Sequence, residues 1–341
     1  VAVATNRRSL RASVATAVND HRLGANEAPP AIISVYLGDQ LGAIVDSIVL
    51  GREYVPKKAV PGSIGVPESP IFPIDTTDRN RTSPFAFTGN KFEFRMLGSQ
   101  ASVADPNIVL NTIVAQAFAD AVDALSGAQD FETACKAYTE KLFKEHYRII
   151  FNYNGYGPDW EPEAERRGLL NNKTTADAIP ECYKRENIDV FVRQGVYTEK
   201  EVIARANINL ENYIKVINIE ALTMLEMGKQ DIYPAVNAYV AELCSVIAAK
   251  RAVSEKMSCK ADTALAEQLS KMNDAFADAM KKLEKDLSEM PAGEGPASQK
   301  MAHVIVPDMD AVRTLADGME KLCASDYWPY PTYTELLYSI R

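Results

Sequence analysis

Little in this chain could staple it covalently or hold a soft metal. Its five cysteines, Cys135, Cys182, Cys244, Cys259 and Cys323, lie far apart, form no C-x-x-C pair and are odd in number. That spacing excludes a disulfide framework and a zinc site of the usual kind, and buried thiols in a reducing compartment are expected. Long apolar runs are also lacking. The longest predominantly apolar stretches, Ala31–Leu37 and Ile44–Leu50, fall well short of the ~20 residues that a membrane helix needs, so a soluble chain with no membrane partner is expected. Positive charge is scarce as well: 37 Lys and Arg stand against 46 Asp and Glu, a net charge of −9. Neutralising phosphates along a polymer requires a basic face, so nucleic acid is excluded as a partner. The opening Val1-Ala-Val-Ala-Thr-Asn-Arg-Arg is not of signal type, and Asn-x-Ser/Thr matches at Asn80 and Asn172 carry no weight for secretion. A cytoplasmic location is expected, with a plastid as the alternative.

What is present is the composition of a globular protein. Apolar residues make up 47% and charged residues 24% of 341 positions, enough for one large or two ordinary domains with a substantial core. The charge is unevenly spread. Residues 1–104 hold eleven Lys and Arg against nine Asp and Glu, about +2, which leaves about −11 for the remainder. The early cations come in small groups, Arg7/Arg8/Arg11, Arg79/Arg81 and Lys91/Arg95, interleaved with acids and prolines. Such groups suit a small anionic ligand.

The patterning changes at Asp105, from mixed α/β to long helices. In the first part, Ala31–Leu37 reads as a strand, Asp39–Gly51 as a helix ended by glycine, Val55–Pro73 as a Pro- and Gly-rich loop, and Lys91–Met96 as a strand of period two. From Asp105 long helices take over, with Pro106 in a first turn and a helix over Phe131–Tyr147, until the aromatic and turn residues of Phe151–Trp160 interrupt them. The periodicity then predicts helices over Glu199–Gly228 and Ile232–Ala252, with Pro234 in the first turn of the second. Leu265, Leu269, Met272, Phe276, Met280, Leu283, Leu287 and Met290 form a near-heptad seam, read as the packed stripe of an antiparallel helical bundle rather than a dimerising coiled coil. Pro291–Pro296 reads as a linker before a last helix near Met309–Leu322.

Three segments carry possible chemistry. In Lys91-Phe-Glu-Phe-Arg95 the alternation puts Lys91, Glu93 and Arg95 on one face and two phenylalanines on the other. A carboxylate between two cations stays ionised and suits a hard metal beside a phosphate, although a solvated strand with cross-strand ion pairs has the same pattern. Asn19-Asp-His-Arg-Leu-Gly-Ala-Asn-Glu-Ala-Pro-Pro30 has a glycine hinge and a proline anchor, so it can carry Glu27 over a floor that holds Arg22; a tight turn into a strand is the plainer alternative. Asp78-Arg-Asn-Arg-Thr-Ser-Pro84 puts two arginines in a polar turn, a composition shared by phosphate contacts and ordinary surface turns.

In order and wording these segments, together with Pro106-Asn107, resemble the C-terminal half of the glutamine synthetase catalytic domain. Phe87-Thr-Gly-Asn-Lys-Phe-Glu-Phe-Arg95, Ile149-Ile-Phe-Asn-Tyr-Asn-Gly-Tyr156, Arg167-Gly-Leu-Leu-Asn171, Lys173-Thr-Thr-Ala-Asp-Ala178 and Ile217-Asn-Ile-Glu-Ala-Leu-Thr-Met224 look like the type III, long-chain branch. The resemblance implies an α+β fold: residues 1–130 would be the C-terminal part of the catalytic domain, with antiparallel strands and helices, and residues 131–341 a helical region with a bundle and a terminal helix. It implies ATP-dependent formation of L-glutamine from L-glutamate and ammonia through γ-glutamyl phosphate, with Mg²⁺ or Mn²⁺, in a ring-shaped homo-oligomer of two hexamers.

Residue by residue, the resemblance implies that Arg22 and Asn26 bind glutamate and that Glu27 is the flap acid that takes a proton from ammonium. Arg81 and Lys91 would contact nucleotide phosphates, Glu93 would be a metal ligand, and Arg95 would stabilise the transferring phosphoryl group. Where the type I pattern has a further active-site arginine, this chain has Ala86. The family's first metal carboxylates, nucleotide-site histidine and N-terminal β-grasp domain precede the region matched by Val1, and none of His21, His146 and His303 lies in the matching context. The chain is therefore expected to be the distal part of a longer enzyme and inactive alone, with a non-catalytic scaffold or regulatory subunit as the rival.

Overall fold

The computed structural model describes residues 1–26, 28–55, 61–62, 72–73, 82–331 and 333–338. Their contacts form two compact units, Val1–Leu210 and Glu211–Arg341. The first therefore includes many of the helices expected from Asp105 onward.

In the first unit, α1 (Ala2–Thr5), α2 (Arg7–Ala12) and α3 (Ala17–Arg22) precede β1 (Val35–Tyr36) and α4 (Gly38–Leu50). A ribbon of β2 (Pro61–Gly62) and β3 (Phe72–Pro73) follows, then β4 (Phe85–Phe87) and β5 (Phe92–Phe94). The helices α5 (Ala104–Leu125), α6 (Phe131–His146), α7 (Trp160–Arg166), α8 (Thr175–Ala178), α9 (Arg185–Arg193) and α10 (Glu199–Met227) complete the series, α10 running on past Leu210. The architecture is thus α+β, mostly helical around a small sheet.

That sheet has the order β1-β4-β5, with β1 parallel to β4 and β4 antiparallel to β5, so one of its pairings departs from the expected antiparallel arrangement. The stretch expected to be loop between Val55 and Pro73 contains the two-residue strands β2 and β3, paired antiparallel. Val35 also bridges Ile150 in parallel, and Ile32 bridges Asn171. The chain beyond residue 130 is therefore hydrogen-bonded into the sheet region.

Local chemistry sets the helix ends that matter for the site. Thr16 caps α3 by accepting the Asn19 N–H at 3.2 Å, satisfying one of the orphan donors of the first turn. Gly51 ends α4 in the left-handed region at φ 65°, as the sequence indicates. The core gathers Leu10, Val14, Ile32, Met96, Ile113 and Trp160, so it joins α2, the sheet region, α5 and the post-130 segment. Phe151 stacks on Trp160 with ring centroids 3.8 Å apart; such a pair adds about 0.5–1.5 kcal/mol beyond the area it buries.

In the second unit α11 (Tyr233–Val253), α12 (Lys260–Ser288), α13 (Glu294–Lys300), α14 (Val306–Glu320) and α15 (Tyr333–Tyr338) follow in order, and α12 packs against both α11 and α14. The seam is the buried stripe of this arrangement: Leu269, Phe276, Met280 and Leu283 are all buried. Where two helices with a break were expected, Glu199–Val253 runs as one helix, because a π-turn at Gly228–Ile232 precedes Pro234. A second π-turn, Met301–Ile305, precedes Pro307 and joins α13 to α14. A proline inside a helix lacks an N–H and collides with the carbonyl four residues back; one wider turn gives that carbonyl room. The linker assigned to Pro291–Pro296 is correspondingly shorter, with Pro296 lying inside α13.

Two further expectations change. Ala104–Leu125 and Glu199–Val253 are long and apolar enough to cross a membrane by length and composition, because scattered polar residues interrupt each run without lowering its average much. In α5, Val109 and Ile113 face the core. All five cysteines are free thiols, but only Cys259 and Cys323 are buried, and Cys244 is exposed.

Candidate functional site

The β4–β5 hairpin separates its two faces cleanly. Phe85 stacks on Phe92 with centroids 5.4 Å apart and lies 6.0 Å from Phe94, while Phe87 lies 5.3 Å from Phe92. Four rings thus anchor one face, and the other carries Lys91, Glu93 and Arg95. Glu93 Oε2 accepts both Nε and Nη2 of Arg95, at 3.2 and 3.1 Å. Its Oε1 accepts the Thr88 hydroxyl at 3.2 Å and lies 3.5 Å from Lys91 Nζ. The Arg95 hydrogen bonds, aided by the charges of Arg95 and Lys91 and by Thr88, hold the Glu93 carboxyl below the ordinary glutamate range. Ala86 is fully buried directly across from Glu93 in the ladder. A methyl group therefore sits where the type I pattern has an arginine.

Arg22 is brought to the same place from α3. Its Nη2 donates to the Arg95 carbonyl at 3.4 Å, and its Nη1 to the Met96 carbonyl at 3.2 Å and to Asn19 Oδ1 at 3.3 Å. Asn19, itself buried, donates through Nδ2 to the carbonyls of Met96 and Val14 at 2.9 and 2.8 Å. Helix α3 is thus fastened to the end of β5. The loop after it is closed by Gly24, at φ 81°, whose N–H reaches the carbonyls of Ala28 at 3.2 Å and Pro29 at 3.1 Å. Asn26 is exposed at the tip of that loop. Glu27 and Arg81 lie outside the described residues.

Four of the seven expected residues, Arg22, Lys91, Glu93 and Arg95, therefore converge on one edge of the hairpin. Three are cations and one is an ionised carboxylate, a set suited to anionic oxygen with a hard cation beside it. Among the described residues no group of three or more His, Cys, Asp and Glu could hold a metal ion. Glu93 can supply one ligand to a divalent ion, whereas Mg²⁺ typically takes about six oxygens.

An unexpected layer lies behind these residues. Arg11 and Asp20 pair inside the protein, and Arg11 also donates to the carbonyls of Asn172 and Lys173 at 2.9 and 3.2 Å. The other Asp20 oxygen accepts the Thr175 N–H at 2.5 Å. Arg11 was visible in the sequence as a member of a basic group, but no local pattern marks its partners, which lie as far as 162 positions away.

Comparison with known proteins bears on what this arrangement belongs to. Residues 134–251 match the glutamine synthetase C-terminal domain. Across 97% of its length the chain is 40% identical to a glutamine synthetase of Butyrivibrio fibrisolvens. Over nearly its whole length, then, the chain is similar to a glutamine synthetase. It is also 34% identical to the type-3 glutamine synthetase of Dictyostelium discoideum across 96% of its length, and 32% identical to a glutamine synthetase of Bacteroides fragilis (strain YCH46) across 98%. It spans about half the length of these relatives, 48%, 46% and 48% respectively. The four converging residues all lie before the matched C-terminal domain, whose first residue is within α6.

Proposed function

We propose that this chain forms the distal half of an ATP-dependent ligase that makes L-glutamine from L-glutamate and ammonia through γ-glutamyl phosphate. The observation that carries the reading is the convergence of Arg22, Lys91, Glu93 and Arg95 in a chain similar to a glutamine synthetase. Residues 1–130 belong to the catalytic domain in this reading, and residues 131–341 form a helical region that supports it and builds contacts in a ring-shaped homo-oligomer of two hexamers.

Bound ATP with Mg²⁺ or Mn²⁺ supplies the phosphoryl group. Lys91 and Arg81 hold phosphate oxygens, and Arg95, kept in place by Glu93, neutralises charge on the phosphoryl group in flight. Arg22 and Asn26 orient glutamate so that its γ-carboxylate is in line for attack. Glu27 takes a proton from ammonium, leaving ammonia free to displace phosphate. Glu93 would contribute one metal ligand, and among the described residues no cluster supplies the rest.

The test is an assay of the whole native protein for ATP turnover that depends on both glutamate and ammonium, with the 341-residue chain assayed alongside. Activity of the native protein and inactivity of the chain alone are expected. Glu27→Ala should lower turnover with ammonia by ~10²–10⁴-fold, the usual contribution of a general base, while ATP binding changes far less. A native protein no longer than this chain and without turnover would instead support the non-catalytic scaffold, a reading that draws on the single carboxylate among the converging residues.

A further inference from the structure

The turn Asn152–Gly157 interrupts the helices and contributes no residue to the chemistry described above. It is nevertheless tied into the site region at several points. Phe151 donates its N–H to the Val35 carbonyl at 2.9 Å, and Asn152 Oδ1 accepts the N–H groups of Leu37 at 2.8 Å and Gly38 at 3.2 Å. These bonds seat the turn beside β1. At its centre the buried Gly155 donates its N–H to the Thr82 carbonyl at 3.0 Å.

Gly155 also leaves no space for a side chain. A Cβ there would lie 2.2 Å from the Thr82 carbonyl oxygen, which is backbone, and 3.3 Å from Pro29 Cβ. Thr82 follows Arg81 directly, and Pro29 stands two positions after Glu27. One backbone position therefore touches both Thr82 and Pro29.

We propose that Gly155 is a positioning residue for the site: its N–H and its missing side chain set the spacing of Thr82, next to Arg81, and of Pro29, two positions after Glu27. The proposal rests on the ligase reading for what the loops do, and it assigns a role within the site to a turn beyond residue 130. Relieving a 2.2 Å contact requires a backbone displacement of about 1 Å, and a misplacement of that size can cost ~10²-fold in rate.

The experiment uses the full-length enzyme with Gly155→Ala. Hydrogen exchange is followed in peptides covering 24–31 and 79–84, with 199–253 as the reference, beside steady-state kinetics in ATP, glutamate and ammonium. Faster exchange in both loop peptides and not in the reference is expected. So is a fall of ~10²-fold in kcat/KM, with KM for ATP raised and kcat with ammonium lowered together. If Gly155→Ala fails to fold, Asn154→Ala serves: it removes the 2.9 Å bond from the Tyr156 N–H to Asn154 Oδ1 and adds no volume. It should move the same readouts in the same direction by a smaller factor. Loop exchange and kinetics unchanged in a folded variant would overturn the proposal. Absence of glutamine synthesis by the unaltered enzyme would overturn the ligase reading, and the exchange data would then decide the positioning role.

Discussion

Arg11 Nη2 and Asp20 Oδ1 lie 3.3 Å apart, with the two side chains only 3% and 11% exposed. For both partners burial outweighs their attraction, raising the Asp20 carboxyl above its ordinary range and lowering the Arg11 guanidinium. Helix α3, which carries Arg22, is therefore held against residues 172–175 by a pair that is costly to separate.

Breaking the pair from one side should leave a buried charge without its counter-ion, at about 3–5 kcal/mol. Arg11→Met and Asp20→Asn should each destabilise the protein in urea, and the double variant should lose clearly less than the sum of the two. Additive losses would remove the coupling. The pH dependence has a definite sign. A carboxyl whose folded pKa is raised binds its proton more tightly in the folded state, so its contribution declines as pH rises from the ordinary aspartate range through the folded pKa. Arg11→Met removes an opposing cation, so its stability should fall more steeply with rising pH than that of the unaltered protein.

Arg95→Met tests the electrostatics of the hairpin edge. Glu93 is held below its ordinary range mainly by hydrogen bonds from Arg95. The stabilising contribution of the ionised form is therefore present above the ordinary glutamate range and is lost as pH falls through the depressed folded value. In Arg95→Met the Glu93 midpoint, read from its carboxyl ¹³C shift, should move up toward that range. An unmoved midpoint would assign the depression to Thr88 and Lys91 instead.

The two faces of the later helices should respond oppositely to charge. Phe276 is fully buried in α12, whereas Ile219 on α10 is 63% exposed. Phe276→Asp should unfold the second unit, costing on the order of 4 kcal/mol or more for an unpaired buried charge, seen as a lost thermal transition. Ile219→Glu should leave the melting temperature nearly unchanged and alter the oligomer distribution in mass photometry of the whole enzyme. An unchanged distribution would exclude this face from assembly.

Local periodicity was enough to find β5, α4, α5 and the α12 seam, because each repeats its apolar residues along one face. The convergence of Lys91, Glu93 and Arg95 was legible for the same reason: a strand of period two leaves those side chains no other face. The attachment of Arg22 to β5 was not, since the Asn19 and Arg22 bonds to Met96 span 77 and 74 positions and leave no repeat in the sequence. The attachment of residues beyond 130 to the first unit was hidden similarly, in single hydrogen bonds accepted by the carbonyls of Val35 and Thr82 and by the Asp20 side chain. The π-turns escaped because a proline announces a break and says nothing of how a helix absorbs one.

The bridge from Val35 to Ile150 also has a consequence in time. Leu37 and Asn152, which close the same corner, are 115 residues apart. A ribosome adding about 5–20 residues per second needs roughly ten seconds to travel from one to the other. Once β4 (Phe85–Phe87) has been made, partway through that interval, β1 can pair with it on one side while its other side waits for the turn not yet made, an open edge of the kind that recruits foreign strands. Release of the later segment from the exit tunnel, rather than completion of the hairpin, is then the event that covers the β1 edge during synthesis.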